Sequence, residues 1–370
     1  MFKKIMMISF LLILILFPVI IIYMQQTKFG RLPKSERLER ILKSTHYKNG
    51  SFQNLHNTPV FAEDAHFFSV LYESIFAKKI RRSPIDKIPS IKTDLLHLQP
   101  NEDVLVWFGH SSYFLQIDGK KILVDPVFSN AASPLSFTVN AYKGTNIYTV
   151  DDMPEIDYLF ISHDHWDHLD YETVIKLKSK VKKVICGLGT GEHFEYWGYD
   201  PKIIIEGDWN ESVMIDPGFE IYWAPARHFS GRGFKRNQSL WSAFVFISPN
   251  SKIYIGGDGG YDTHFAEIGK KFGVFDLAIL ENGQYNLNWK YIHMQPEQVI
   301  QAAKDLNAKR LFPVHSSKFS LANHPWDEPL KRISECSKNS GISLMTPIIG
   351  EKVNLKDSTQ QFTQWWLGVK

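Results

Sequence analysis

The stretch "FISHDHWDHLD", residues 160–170, puts three histidines and three aspartates into the eight residues 163–170, directly behind the apolar run Tyr158 to Ile161. A solvated loop has no use for so many imidazoles, whereas a metal site does, since neutral imidazole and carboxylate are donors for zinc and its neighbours. An apolar run followed at once by polar donors reads as a buried strand delivering ligands at its end. His163 and His165, two residues apart on extended chain, can reach one ion; Asp167 and His168, after the chain turns, can face another.

Working outward, three more apolar runs end the same way. Tyr222-Trp-Ala-Pro-Ala-Arg leads into His228, Ile253-Tyr-Ile-Gly-Gly into Asp258, and Leu311-Phe-Pro-Val into His315. One donor per strand end is how a sheet converges groups on a single edge. Seven donors suit two zinc ions about 3.5–4 Å apart, with a carboxylate between them, and Asp258 is the candidate bridge. From Asp103 onward, short β-rich runs alternate with turns, including Asp118-Gly119 as a hairpin signal, and helices are expected at Tyr171 to Lys180, Pro296 to Leu306 and Trp326 to Ser337. The pattern predicts a sheet-rich α/β sandwich with helices outside.

Composition bounds the rest. The 370 residues are 44% hydrophobic, enough for a large core, and the net charge of +3 gives no reason to expect a nucleic-acid partner. The two cysteines, Cys186 and Cys336, are far apart and form no C-x-x-C pattern, so neither a disulfide framework nor a thiolate zinc site is expected. Ile5 to Met24 is apolar apart from Ser9, Pro18 and Tyr23. Roughly 20 such residues match a ~30 Å bilayer core, so 1–27 reads as a single-pass membrane anchor or uncleaved signal, with a cleaved leader as the alternative. Charges on its two flanks compete, and the side of the membrane is not fixed. Residues 28–95 read as a lead-in with short helices; the helix at Ser35 to Lys43, capped by Ser35, carries basic residues interleaved with Glu36 and Glu39 as a solvated face. Residues 96–370 form the expected main domain, which holds all seven donors.

These residues carry a resemblance. The pattern His163-x-His165-x-Asp167-His168 with His228, Asp258 and His315 resembles the metallo-β-lactamase superfamily of binuclear metallohydrolases, and Asp125 in Leu123-Val-Asp-Pro matches its early strand-end aspartate. Within it, "FGRLPKSERLERI", "WFGHSSYFLQIDGKKILVDPVFS", "GDGGYDTHFAEIGKKFGVFDLAIL" and "HMQPEQVIQAAKDLNAKRLFPVHSSKFSLANHPWDEPL" are similar to the branch of N-acyl-phosphatidylethanolamine phospholipase D and its bacterial relatives, a likeness running from about Phe29 to Val353. The resemblance implies an αββα sandwich of two mixed sheets. It also implies one zinc ion held by His163, His165 and His228, a second by Asp167, His168 and His315, and Asp258 bridging. His293 lines the substrate site by the same resemblance; His110, which follows Phe108-Gly109, orients a ligand or shapes the pocket, or else is a structural turn histidine.

The expected chemistry is hydrolysis of a membrane phospholipid, because two zinc ions bring the pKa of a bound water to roughly 7. Asp167 and Asp258 would accept its hydrogen bond, and Asp125 would fix an imidazole tautomer. Diiron oxidoreductases of the superfamily carry Glu where this chain has His165, and a zinc β-lactamase would have Cys in place of Asp258. Hydrolysis of another ester, such as a lactone, shares all seven donors and is the alternative function. A noncatalytic membrane protein would show broken ligands, and none is broken. The bilayer is the expected partner, and the sequence leaves a homodimer open.

Overall fold

Val104–Trp107, Tyr113–Ile117 and Lys120–Val124 form an antiparallel meander whose second hairpin turns on Asp118 and Gly119, with φ of 48° and 75°. Two successive positive φ values are what a two-residue type I′ loop demands, and Asp-Gly supplies them cheaply. In the computed structural model, which describes residues 2–76 and 80–370, this meander opens a seven-stranded sheet. Lys352–Asn354 pairs antiparallel on one side of it; Ile156–Ile161, Val181–Gly187 and Ile204–Gly207 continue in parallel on the other. A second seven-stranded sheet has the order Ser343–Leu344, Arg310–Val314, Leu277–Glu281, Lys252–Ile255, Ala243–Ile247, Phe219–Ala224 and Ser212–Asp216. It is parallel through its first four strands and antiparallel beyond.

Strand alternation builds the layers. Tyr158 and Phe160 face the opposite sheet and join Leu105, Trp107, Trp223, Phe244, Phe246 and Phe312 in the central core. Leu159 and Ile161 point the other way, onto Val174 and Leu177 of the helix Tyr171–Leu177. The second sheet repeats the arrangement: Phe244 and Phe246 face inward, while Ala243 and Val245 pack with Phe265, Val299 and Ile333 of the helices His264–Phe272, Pro296–Asp305 and Glu328–Ser337. Helices outside two stacked mixed sheets give the expected sandwich. Phe160 meets Phe244 edge to face at 5.1 Å. Truncating such a ring costs about 3–5 kcal/mol, so the two sheets are held in one register directly beneath the loop that follows Ile161.

The expected N-terminal transmembrane helix, and with it single-pass membrane localisation, is corrected here: among the described residues no helix is long and apolar enough to cross a membrane. The helix Phe2–Met24 starts with Lys3 and Lys4 and contains Pro18, which removes a backbone donor and kinks a helix interior. Its last turn is held by protein. The Tyr23 hydroxyl donates to the Pro134 carbonyl at 2.6 Å, and Ile21 and Met24 line a cavity against residues 231–239. The lead-in differs too. Arg31 and Arg37 both reach Glu192 at 2.5 Å, Arg37 also reaches Glu206 at 2.6 Å, and Arg40 reaches Glu211 at 2.6 Å, so the basic face of the helix Ser35–Lys43 is clasped to the sandwich. Ser35 opens that helix at φ 51° and caps nothing; the N-cap position falls on Lys34.

Candidate metal centre

Strands Ile156–Ile161, Lys252–Ile255 and Arg310–Val314, with Phe219–Ala224 slightly further back, all run out at one edge of the sandwich, and their continuations bring His163, Asp258, His315 and His228 together. Backbone shape contributes. His110, Asp125 and His315 have φ of 54°, 41° and 68°, and each is pinned by backbone pairing: His110 N–H to the Ser316 carbonyl, His315 N–H to the His110 carbonyl, Asp125 N–H to the Phe160 carbonyl.

Two groups of donors result. In the first, His163 Nε2 lies 2.8 Å from His165 Nδ1, which lies 3.3 Å from His228 Nε2. Burial, reinforced by the neighbouring imidazoles, pushes His163 and His228 well below the ordinary histidine range, and burial also lowers His165. His228 Nδ1–H donates to the Ile292 carbonyl at 3.0 Å, leaving the Nε2 lone pair for the centre. In the second group, His168 Nε2 stands 3.5 Å and His315 Nε2 4.0 Å from Asp167 Oδ2. Asp258 sits between the groups, its Oδ2 3.1 Å from His168 Nε2 and 4.0 Å from His228 Nε2.

These donors fit a divalent metal. The three neutral imidazoles turn nitrogens toward one another, and one proton can serve only one of the two N···N approaches well, so the remaining lone pairs suit a cation. On the other side, burial lowers His168, but the Asp258, Asp167 and Asp125 carboxylates outweigh it and push the group well above its usual range; the cluster draws in positive charge. Asp258 Oδ1 is buried at 3.0 Å from His315 Nδ1 without hydrogen-bond alignment, and among the described residues it has no hydrogen-bond partner. The His315 Nδ1 hydrogen bond is instead to the Ser111 hydroxyl at 2.9 Å. A buried carboxylate oxygen without a donor is costly, and a metal ligand is a natural role for it.

The remaining expected residues surround these donors. Asp125 accepts from His168 Nδ1–H at 2.8 Å, from the Ser162 hydroxyl at 2.6 Å and from Ser162 N–H at 2.8 Å, which directs His168 Nε2 inward. His110, fully buried, donates from Nε2 to Asp167 at 2.9 Å and packs on the His315 ring at 4.2 Å; it touches the centre from behind. His293 faces a pocket of about 230 Å³ above the donors, walled by Val60, Phe61, Phe229, Trp289 and Leu321. The sequence reading missed Glu281, which accepts from His293 Nδ1–H at 2.6 Å and from Met294 N–H at 2.6 Å; burial raises its pKa to about 7. Its signal was present, since Leu277–Glu281 is a fifth apolar run ending in a donor. Asp164, buried inside the His163–His168 loop, and His193 and Arg232, buried behind it, were missed as well.

Comparison with known proteins agrees with this geometry. Residues 120–316 match the beta-lactamase superfamily domain. An uncharacterized protein of Mycobacterium tuberculosis is 35% identical over 327 residues, covering 87% of each chain. The N-acyl-phosphatidylethanolamine-hydrolyzing phospholipase D 1 of Caenorhabditis elegans is 27% identical over 287 residues, 71% of this chain and 81% of that one. Among solved structures, a metallo hydrolase of the archaeon Ignicoccus hospitalis superposes with a TM-score of 0.53 at 20% identity, over 68% of this chain and 98% of its own, a likeness of fold.

Proposed function

Because the chain belongs to the metallo-β-lactamase superfamily of metal-dependent hydrolases, we propose that it is a zinc-dependent phosphodiesterase of phospholipase D type, acting on a glycerophospholipid of the N-acyl-phosphatidylethanolamine kind. The observation that carries this reading is the pairing of a seven-donor floor with an apolar-walled pocket directly above it. Likeness to the Caenorhabditis enzyme supports the choice of substrate.

His163, His165 and His228 would hold one ion and Asp167, His168 and His315 another, with Asp258 shared. Metal bound there supplies Lewis acidity toward a phosphoryl oxygen and activates water at neutral pH. The chain's own residues prepare for this. Asp125 and the Ile292 carbonyl fix which nitrogen of His168 and of His228 faces inward, and His110 holds one oxygen of Asp167 in place. Val60, Phe61 and Leu321 exclude water above the donors and offer apolar surface to an acyl chain. His293, its Nδ1–H engaged by Glu281, presents its other nitrogen to the substrate.

A pocket of about 230 Å³ admits a phosphate and the ethanolamine part of the headgroup, with the acyl chains left to its apolar rim. The same volume admits a small lactone, which keeps that hydrolysis as the second reading. Incubating the zinc-loaded protein with dispersed mixed phospholipids, and separately with soluble lactones, discriminates by mass spectrometry of the products. Phosphatidate with a released N-acylethanolamine is expected; lactone opening without any phospholipid turnover replaces the proposal by the second reading.

A further inference from the structure

Two hydrogen-bonded links join residues 28–31, far upstream in the chain, to the loop that carries four of the seven donors. In the first, Arg31 N–H donates to His193 Nδ1 at 3.1 Å, and His193 Nε2–H donates to Asp164 Oδ2 at 3.3 Å. Asp164 stands between His163 and His165. Its carboxylate also accepts from Gly231 N–H at 2.6 Å and the Ser239 hydroxyl at 3.0 Å, tying that loop to the segment after His228. In the second, the Lys28 carbonyl accepts from Arg232 Nη2 at 3.0 Å, while Arg232 Nη1 donates to the carbonyls of Asp164 and Leu169 at 2.9 and 2.6 Å, closing the two ends of the ligand loop. The guanidinium lies 3.9 Å from the Trp166 ring, inside the same loop.

None of these groups touches the pocket above the donors, and Asp164, His193 and Arg232 are each at most 5% exposed. Gly30 has φ 74°, and a Cβ there would fall 2.0 Å from His193 Nδ1, so only glycine lets the Arg31 N–H reach that nitrogen. We infer that His193 and Arg232 are positioning residues through which residues 28–31 hold the His163–His168 loop in its metal-binding shape. The lead-in then serves as the outer half of the metal centre. None of these bonds ends on a ligand side chain, so their effect belongs at the low end of the about 10–100-fold in metal affinity that bonds made directly to ligands carry. The inference rests on the reading of His163, His165 and His228 as ligands.

The test is competition for zinc between a chromophoric chelator and the full-length protein, with thermal unfolding recorded alongside. His193→Ala should weaken zinc binding by about 10-fold, the low end of that range, and speed zinc release. His193→Gln keeps an acceptor and a donor at nearly the imidazole spacing and should regain most of the affinity. Gly30→Ala, which alters no residue of the ligand loop, should weaken binding in the same direction. Wild-type affinity in both His193→Ala and Gly30→Ala overturns the inference, as does equal loss in His193→Ala and His193→Gln that merely follows lowered melting temperature. A wild-type protein that binds no zinc brings down the functional reading, and this inference with it; a wild-type protein that binds zinc with unaltered variants brings down this inference alone.

Discussion

Asp125→Asn tests whether the centre depends on imidazole tautomer. The wild-type carboxylate accepts three hydrogen bonds, from Ser162 N–H, the Ser162 hydroxyl and His168 Nδ1–H. Asparagine keeps the oxygen that faces Ser162 N–H, but turns an NH₂ toward His168 Nδ1. Two donors then meet, and the imidazole relieves the clash by moving its proton to Nε2, the nitrogen that stands 3.1 Å from Asp258. That nitrogen can no longer give a lone pair to a metal without losing the proton again. The expected penalty is about 10–100-fold in zinc affinity, or about 1.4–2.7 kcal/mol. Stability of the fold should change less than in Asp125→Ala, which strips all three donors of their acceptor at about 1–3 kcal/mol for each buried group left unpaired. Isothermal titration with zinc, hydrolysis at saturating zinc and urea denaturation of both variants give the three numbers. Wild-type zinc affinity in Asp125→Asn would refute the tautomer argument, because the same structure leaves His168 no other acceptor at Nδ1 except the Ser162 hydroxyl at 3.3 Å.

Asp258→Asn should abolish hydrolysis and lower the bound zinc while leaving far-UV circular dichroism unchanged, since Asp258 faces the donors rather than the core; full activity in this variant would remove the bridge from the mechanism. Stability should also depend on pH through Lys318, which is buried and donates to the carbonyls of Phe108 and Val127. Burial depresses its pKa to about 7, against about 10.4 in an unfolded chain. Between these values the unfolded state binds the extra proton, so stability should rise with pH across roughly 7 to 10. Lys318→Met should flatten that rise in denaturant midpoints; an unchanged slope would mean that Lys318 stays charged when folded.

The convergence of donors at the strand ends was legible because a buried run leaves a period-2 or continuous apolar signature, and a polar donor at its end has few structural uses. The turn at Asp118 and Gly119 was legible for a similarly local reason. What was not legible is long-range. The basic residues of the helix Ser35–Lys43 looked solvated because Glu36 and Glu39 stand among them, whereas Arg37 finds Glu192, Glu195 and Glu206 more than 150 residues away. No local pattern announces that pairing, nor the meeting of Arg31, His193 and Asp164. The apolar run before residue 25 misled because hydropathy alone does not register Pro18 or the docking of Tyr23 on Pro134.

The left-handed backbone of His110, Asp125 and His315 has a consequence for anyone trying to make this protein more robust. Non-glycine residues held at such φ values cost on the order of 1–3 kcal/mol each; glycine would release part of that strain, but it adds freedom to the unfolded chain and at Asp125 would leave three buried donors unpaired, at about 1–3 kcal/mol for each. A selection for thermal stability alone therefore has little to gain from glycine at these three buried positions, because the hydrogen bonds of each side chain offset the strain of its backbone. The strained backbone is held by the same side-chain bonds that aim the donors, so gains in heat tolerance are to be sought away from these residues.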